Sequence, residues 1–237
     1  LGAEAENAAA ENPPTFTRNS VAYLSDGTQV AANVPRFEQG KFGKAILIEE
    51  GTTNLAINPL FENPLSEWQG SPSMSYSTRI TDTPFGERPV LVVNGAAYDY
   101  TAIRDFAPLP GSDAPVTLSL WMRNLGSDEG VPKFYLGTGY KSTDKILKAD
   151  GNWYRISRTF QPGEYTQNGR FHFYKGVMGE VEVCAIQVEY GKPYSTSFIN
   201  GTRAAESMTI PTAGVLNPQE GTVECWVYVN DVIKRVD

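Results

Sequence analysis

Between residues 54 and 200 apolar positions recur in short runs, mostly at every second residue, and no segment keeps a helical period. Eight runs read as strands: Met74 to Ile80, Pro89 to Val93, Tyr98 to Phe106, Val116 to Arg123, Lys133 to Leu136, Trp153 to Phe160, Gly169 to Tyr174 and Val181 to Val188. Turn-forming clusters separate them, among them Asp82-Thr-Pro, Asn94-Gly95, Pro110-Gly-Ser-Asp113, Asp150-Gly151 and Pro162-Gly163. Many short strands with turns between them predict an all-β protein, a jelly-roll β-sandwich.

The alternation also assigns faces. In Val116 to Arg123 it places Val116, Leu118, Leu120 and Met122 toward a core, and Thr117, Ser119, Trp121 and Arg123 away from it. By the same rule His172 and Tyr174 oppose Phe171 and Phe173, and Tyr135 opposes Phe134 and Leu136. A polar face with Trp121, Arg123, Tyr135, His172 and Tyr174 is what a sugar-binding groove needs. Aromatic rings cover the C–H face of a pyranose while Arg and His donate to hydroxyls. Packing of those aromatics beneath a loop or a neighbouring subunit is the other reading, and both stay open at this point.

The flanks differ from the centre. Residues 1–15 are rich in Ala, Glu and Asn and run into Pro13-Pro14, as a helix end or a solvated linker does. Residues 16–53 read as an extended N-terminal region, with Asp26-Gly27 as a hairpin turn and Ala45 to Ile48 as a buried strand. Asn58-Pro-Leu-Phe-Glu62 is a turn into the region 54–200. Residues 201–237 begin as a linker and then alternate cleanly from Glu220 to Asn230, a strand that joins an existing sheet or starts a further unit.

Composition narrows the function. The 237 residues carry a formal charge of −7, so the chain lacks the basic footprint of a nucleic-acid or anionic-membrane binder. Hydrophobic residues at 41% and charged ones at 20% describe a folded chain, and no apolar run is long enough for membrane insertion as a helix. The chain does not start with Met and carries no secretory-signal pattern, which we read as a processed chain or a piece of a longer one.

Catalytic chemistry is thinly provided. With one histidine, His172, and two cysteines, Cys184 and Cys225, a Cys/His zinc site is all but excluded. A hydrolase triad would have to use a histidine that lies in a strand. No nucleophile elbow, P-loop or dinucleotide fingerprint occurs in a fitting context. Glu49 and Glu50 are adjacent, so on a strand they point to opposite faces and cannot flank one glycosidic bond. Glu62, Glu67, Asp99, Asp105, Glu182 and Glu189 form no recognisable pair. The two cysteines allow one disulfide or two buried thiols. The chain is expected not to be an enzyme.

Several segments, in order, resemble an arrangement found in phage tail-fibre or head-fibre proteins and bacterial surface proteins. Phe16-Thr-Arg-Asn-Ser20, Asn33-Val-Pro-Arg-Phe37 and Leu47-Ile-Glu-Glu-Gly-Thr-Thr-Asn-Leu55 resemble the short region that precedes the carbohydrate-binding jelly roll of such proteins. Asn54-Leu-Ala-Ile-Asn-Pro-Leu-Phe-Glu62, Thr117-Leu-Ser-Leu-Trp-Met-Arg123 and Trp153-Tyr-Arg-Ile-Ser-Arg-Thr-Phe160 resemble carbohydrate-binding modules of the family four/nine type. Gln187 to Gly191, Tyr194 to Ile199 and Thr202 to Ala205 resemble the end of that module, and Gly221-Thr-Val-Glu-Cys-Trp226 the opening of a concanavalin-like domain.

The resemblance implies a two-sheet jelly roll over 54–200 that binds a polysaccharide or cell-surface glycan on a concave face. It also implies a structural calcium near the first strand, with Glu62 as the candidate ligand. The acidic residues that such modules place in the last strand fall here near Cys184 and Ala185. The expected role is a non-catalytic, adhesive module of a virion or cell surface, as a homo-oligomer or with other virion or surface proteins. A fibre or decoration component without sugar binding is the alternative, and an accessory domain of a polysaccharide hydrolase the third.

Overall fold

The computed structural model describes residues 13–40, 43–62, 69–70, 74–95, 100–103, 107–166, 171–212, 219–220, 222 and 227. The Ala/Glu-rich start, most of the strand expected over 220–230 with Cys225, and Glu67, Asp99 and Asp105 lie outside them.

The chain comes in through β1 (Thr15–Thr17), the hairpin of β2 (Ala22–Tyr23) with β3 (Gln29–Val30), the hairpin of β4 (Arg36–Gly40) with β5 (Gly43–Leu47), and β6 (Thr52–Thr53). The sandwich follows: β7 (Gln69–Gly70), β8 (Met74–Thr83), β9 (Gly86–Gly95), β10 (Tyr100–Ile103), β11 (Val116–Asn124), β12 (Lys133–Leu136), β13 (Tyr140–Ser142), β14 (Tyr154–Phe160), β15 (Phe171–Tyr174) and β16 (Val181–Tyr190). The chain then runs through β17 (Thr202–Arg203) and β18 (Ser207–Thr209). Among the described residues there is no helix.

Two five-stranded antiparallel sheets make the sandwich. Sheet I has the order β13-β12-β15-β10-β7 and sheet II the order β14-β11-β16-β9-β8. Their inner faces share one core: Phe134, Leu136, Phe171 and Phe173 from sheet I, and Leu118, Leu120, Met122, Ile156 and Val183 from sheet II, are at most 1% exposed. Each such side chain contributes about 1.5–3 kcal/mol by leaving water. The predicted alternation of β11, β12 and β15 holds, since their apolar positions all point inward.

One bulge interrupts sheet II. Ser119 stands opposite Gln187 but Trp121 stands opposite Cys184, so β16 carries one extra residue there. Ala185 takes a positive φ of 51° at this point, and the N–H of Ile186 donates to the carbonyl of Pro59 at 3.0 Å. The Asn58–Phe61 turn is thereby docked on the bulge. Asn54 locks the same region with four hydrogen bonds. Its Nδ2 donates to the carbonyls of Ile186 and Ile199, and its Oδ1 accepts from the N–H groups of Val188 and Ala56.

The incoming and outgoing segments pair with each other, β1 with β18 and β6 with β17. A buried ion cluster joins them. Arg18, Arg36 and Arg203 are at most 1% exposed. Glu206 accepts from Arg18 Nη1 at 2.7 Å and from Arg36 Nε and Nη2 at 2.8 and 2.6 Å. Glu49 accepts from Arg36 Nη2 at 2.7 Å and lies 3.2 Å from Arg203 Nη1. Glu50 turns the other way and pairs with Lys192 at 2.5 Å at the surface, so the two adjacent carboxylates do point apart.

These segments differ from expectation in one respect. Ala45 is exposed and Ile48 is 44% exposed, so Ala45 to Ile48 is not a buried strand. Ala45, Ile46 and Leu47 belong to the β4–β5 hairpin, a two-stranded ribbon that among the described residues pairs with neither sheet. The Asp26-Gly27 turn does form the predicted hairpin between β2 and β3.

Candidate functional site

The outer face of sheet I carries the aromatic side chains that alternation turned away from the core. Tyr135 on β12 has His172 on β15 as its register partner on one side and Tyr140 on β13 on the other. The ring centroids are 5.0 Å apart for Tyr135 and His172, 5.2 Å for Tyr135 and Tyr140, and 6.1 Å for Tyr140 and Tyr174. Lys133 holds its Nζ 5.8 Å from the centre of the Tyr174 ring. Direct cross-strand pairing produces the Tyr140–Tyr135–His172 row, and Tyr140 also reaches the Tyr174 ring past the intervening strand β12.

The row is open to solvent. Tyr140 is 45% exposed, and Tyr135, His172 and Tyr174 are partly exposed. Tyr135 Oη donates to the carbonyl of Gly137 at 2.9 Å, which fixes its ring over the turn between β12 and β13. Beyond His172, the next strand places Ala102 in register, followed by Gln69 on β7. An apolar ring surface flanked by a cation and polar side chains can hold a polyol by stacking and hydrogen bonding.

The structure brings Tyr135, His172 and Tyr174 together but puts Trp121 and Arg123 on sheet II, on the opposite side of the sandwich. The five residues therefore do not share one face. Arg123 is engaged there with Glu182, donates from Nη2 to Thr81 Oγ1 at 2.8 Å, and lies 4.8 Å from the Trp153 ring centre. Glu182, wholly buried, also pairs with Arg79. Trp121 meets the edge of Phe85 at 6.0 Å and borders a groove between sheet II and the incoming segment.

Tyr140 and Lys133 belong to the row although the sequence did not single them out. The strand pattern stops at Leu136, and the register that brings Tyr140 beside Tyr135 appears only once β13 pairs with β12.

Glu62 is exposed directly after Phe61. Among the described residues no three His, Cys, Asp or Glu side chains converge as metal ligands would. The last-strand positions beside the turn are Cys184 and Ala185, whose side chains carry no oxygen of the kind calcium takes. Among the described residues Glu62 thus has no acidic side chain at the last-strand positions where the resemblance implied one. Cys184 is a buried free thiol.

No known sequence family matches the chain, and no curated relative matches it. Solved structures do show distant likeness. The CBM22-1 xylan-binding domain of Xyn10C from Paenibacillus barcinonensis aligns at 11% identity and a TM-score of 0.42, over 62% of this chain and all of that one. The CBM22-1–GH10 modules of xylanase 10B from Clostridium thermocellum, complexed with xylohexaose, align at 13% identity and a TM-score of 0.44. There the alignment covers 55% of this chain and 27% of the other. The family 11 carbohydrate-binding module of Lic26A-Cel5E from Clostridium thermocellum aligns at 17% identity and a TM-score of 0.37, over 61% of this chain and 96% of that one.

Proposed function

We propose that this chain is a non-catalytic glycan-binding module, with the outer face of sheet I as its binding surface. The observation that carries this reading is the row Tyr140, Tyr135 and His172, with Tyr174 beside it, on an open sheet face. A sugar chain laid across β13, β12 and β15 meets ring surface at each strand, and Lys133 stands at the edge to donate to hydroxyls. The buried carboxylates are committed elsewhere: Glu49 and Glu206 to arginines, Glu182 to Arg79 and Arg123, Glu189 to Thr52 and Thr196. None stands ready as an acid or base. The module serves adhesion of a virion fibre or cell surface to a polysaccharide.

A glycan-array screen of the chain, with calcium and with a chelator, tests this. Specific binding that Tyr135→Ala and Tyr140→Ala each weaken by about tenfold or more, with the fold intact, is the expected result. Binding unaffected by both substitutions sinks the assignment to sheet I.

One observation favours the alternative, a structural fibre component. Thr15 and Thr209 are register partners, so the chain comes in and goes out side by side. Such a module can be inserted in a longer chain as a bead, in a homo-oligomer or against other virion proteins, without binding sugar. Absence of any glycan binding together with a defined oligomeric mass supports that reading.

A further inference from the structure

On the other side of the sandwich, the outer face of sheet II is incompletely covered. A groove of about 770 Å³ remains between the β4–β5 hairpin, the segment 195–198 and the strands β11 and β14. Trp121 and Arg155 lie along it and are direct register partners, so their side chains share this face. Leu47, Phe85 and Phe198 supply apolar walls.

Both polar groups keep unused donors. Trp121 Nε1 is buried and has no hydrogen-bond partner among the described residues. A buried indole N–H ordinarily finds one, because leaving it unmade costs free energy. Arg155 donates from Nη2 to Ser119 Oγ at 3.1 Å and to the carbonyl of Thr196 at 2.5 Å. Among the described residues its Nε and Nη1 have no acceptor and no carboxylate lies within ion-pairing distance, although Glu189 and Glu49 act on it through space. The carboxylates bordering the groove are already occupied. Glu49 is neutralised by Arg36 and Arg203, and Glu38 accepts from the N–H and hydroxyl of Ser25.

A guanidinium with two unused donor nitrogens, an unpartnered N–H and apolar walls together match a carboxylate carried on a compact body with a C–H face. We infer that this groove is a second binding site, separate from sheet I, for the carboxylate of an acidic sugar residue such as a uronic acid. Arg155 Nε and Nη1 and Trp121 Nε1 donate to the carboxylate, and the sugar ring rests against Phe85 and Phe198. The inference stands independently of glycan binding on sheet I.

The indole N–H resonance of Trp121, assigned through Trp121→Phe in the full chain, reads this site directly. Titration with trigalacturonate should move that resonance to saturation. A neutral trisaccharide should bind at least about tenfold more weakly, as loss of a charge-assisted contact requires. Calorimetry should show a comparable loss for Trp121→Phe, which keeps an aromatic body but deletes the donor, and for Arg155→Gln. The other indole resonances report whether Arg155→Gln remains folded. A Trp121 resonance unmoved by trigalacturonate, or moved equally by the neutral sugar, overturns the inference. So does a response that Tyr135→Ala abolishes, since that ligand would sit on sheet I.

Discussion

Arg36 and Glu206, 170 residues apart in the chain, meet in a fork of two hydrogen bonds, Nε to Oε1 at 2.8 Å and Nη2 to Oε2 at 2.6 Å. Both side chains are wholly shielded from water. The planar guanidinium fits a carboxylate in this way and a lysine does not, so the pair fixes orientation as well as charge. Arg18 reaches the same carboxylate and Glu49 the same arginine, which ties the incoming hairpins to the outgoing segment. The resemblance of these segments to a module's flanks is thus carried by residues that act in folding.

Removing the shared carboxylate should be costly. Glu206→Gln leaves Arg18 and Arg36 buried with one neutral acceptor between them. Breaking a buried pair from one side costs about 3–5 kcal/mol, which exceeds the worth of the pair itself. Urea denaturation should show a loss of that size for Glu206→Gln. Glu50→Gln, whose partner Lys192 it meets at the surface, should lose well under about 1 kcal/mol. Equal losses for the two would mean that the cluster is solvated.

The same cluster sets an acid limit. Burial acts to raise the Glu49 carboxyl, but Arg203, the hydrogen bond from Ser197 and Arg36 outweigh it and hold the group below its ordinary range. A folded value below the unfolded one gives stability that is present above the unfolded value, about pH 4.3, and is lost as pH falls through the folded value. The unfolding midpoint should therefore drop steeply only below about pH 4.3. Glu49→Gln should flatten that slope, as read from urea curves recorded at successive pH values.

What the sequence disclosed follows from the period of a strand. Val116 to Arg123 sorts its side chains by parity alone, so the core positions Leu118, Leu120 and Met122 were legible. Parity says nothing about which sheet a strand joins. Trp121 and Tyr135 both point away from the core, yet they emerge on opposite sides of the sandwich because β11 and β12 belong to different sheets. The ion cluster was hidden for a related reason. Arg18 finds its partner 188 residues away, and a charged residue in an irregular segment reads as solvated until that partner is placed.

Cys184 should be inert in the folded protein. It is fully buried on β16, and desolvation raises its thiol, so the reactive thiolate is suppressed. In Cys225→Ser, a thiol reagent should modify nothing under native conditions and one group in denaturant. The rate of modification then reports opening of sheet II. Rapid labelling without denaturant would show that β16 is accessible.

Two glycines of equal backbone conformation separate strain from contact. Gly27 and Gly86 both have a φ of +81°, a region that costs an alanine about 1 kcal/mol. At Gly86 a Cβ would meet nothing within 4 Å. At Gly27 it would lie 1.8 Å from the carbonyl oxygen of Pro84, where the β2–β3 hairpin presses on the β8–β9 turn. The three nearest atoms, two of Pro84 and one of Phe85, are all backbone, so one turn must move off the other. Gly86→Ala should therefore lose about 1 kcal/mol in urea denaturation, the conformational term alone. Gly27→Ala should lose clearly more, because the hairpin that leads into Arg36 is displaced from sheet II. If the two variants lose the same amount, the contact between the turns contributes nothing, and the incoming hairpins are held by the ion cluster alone.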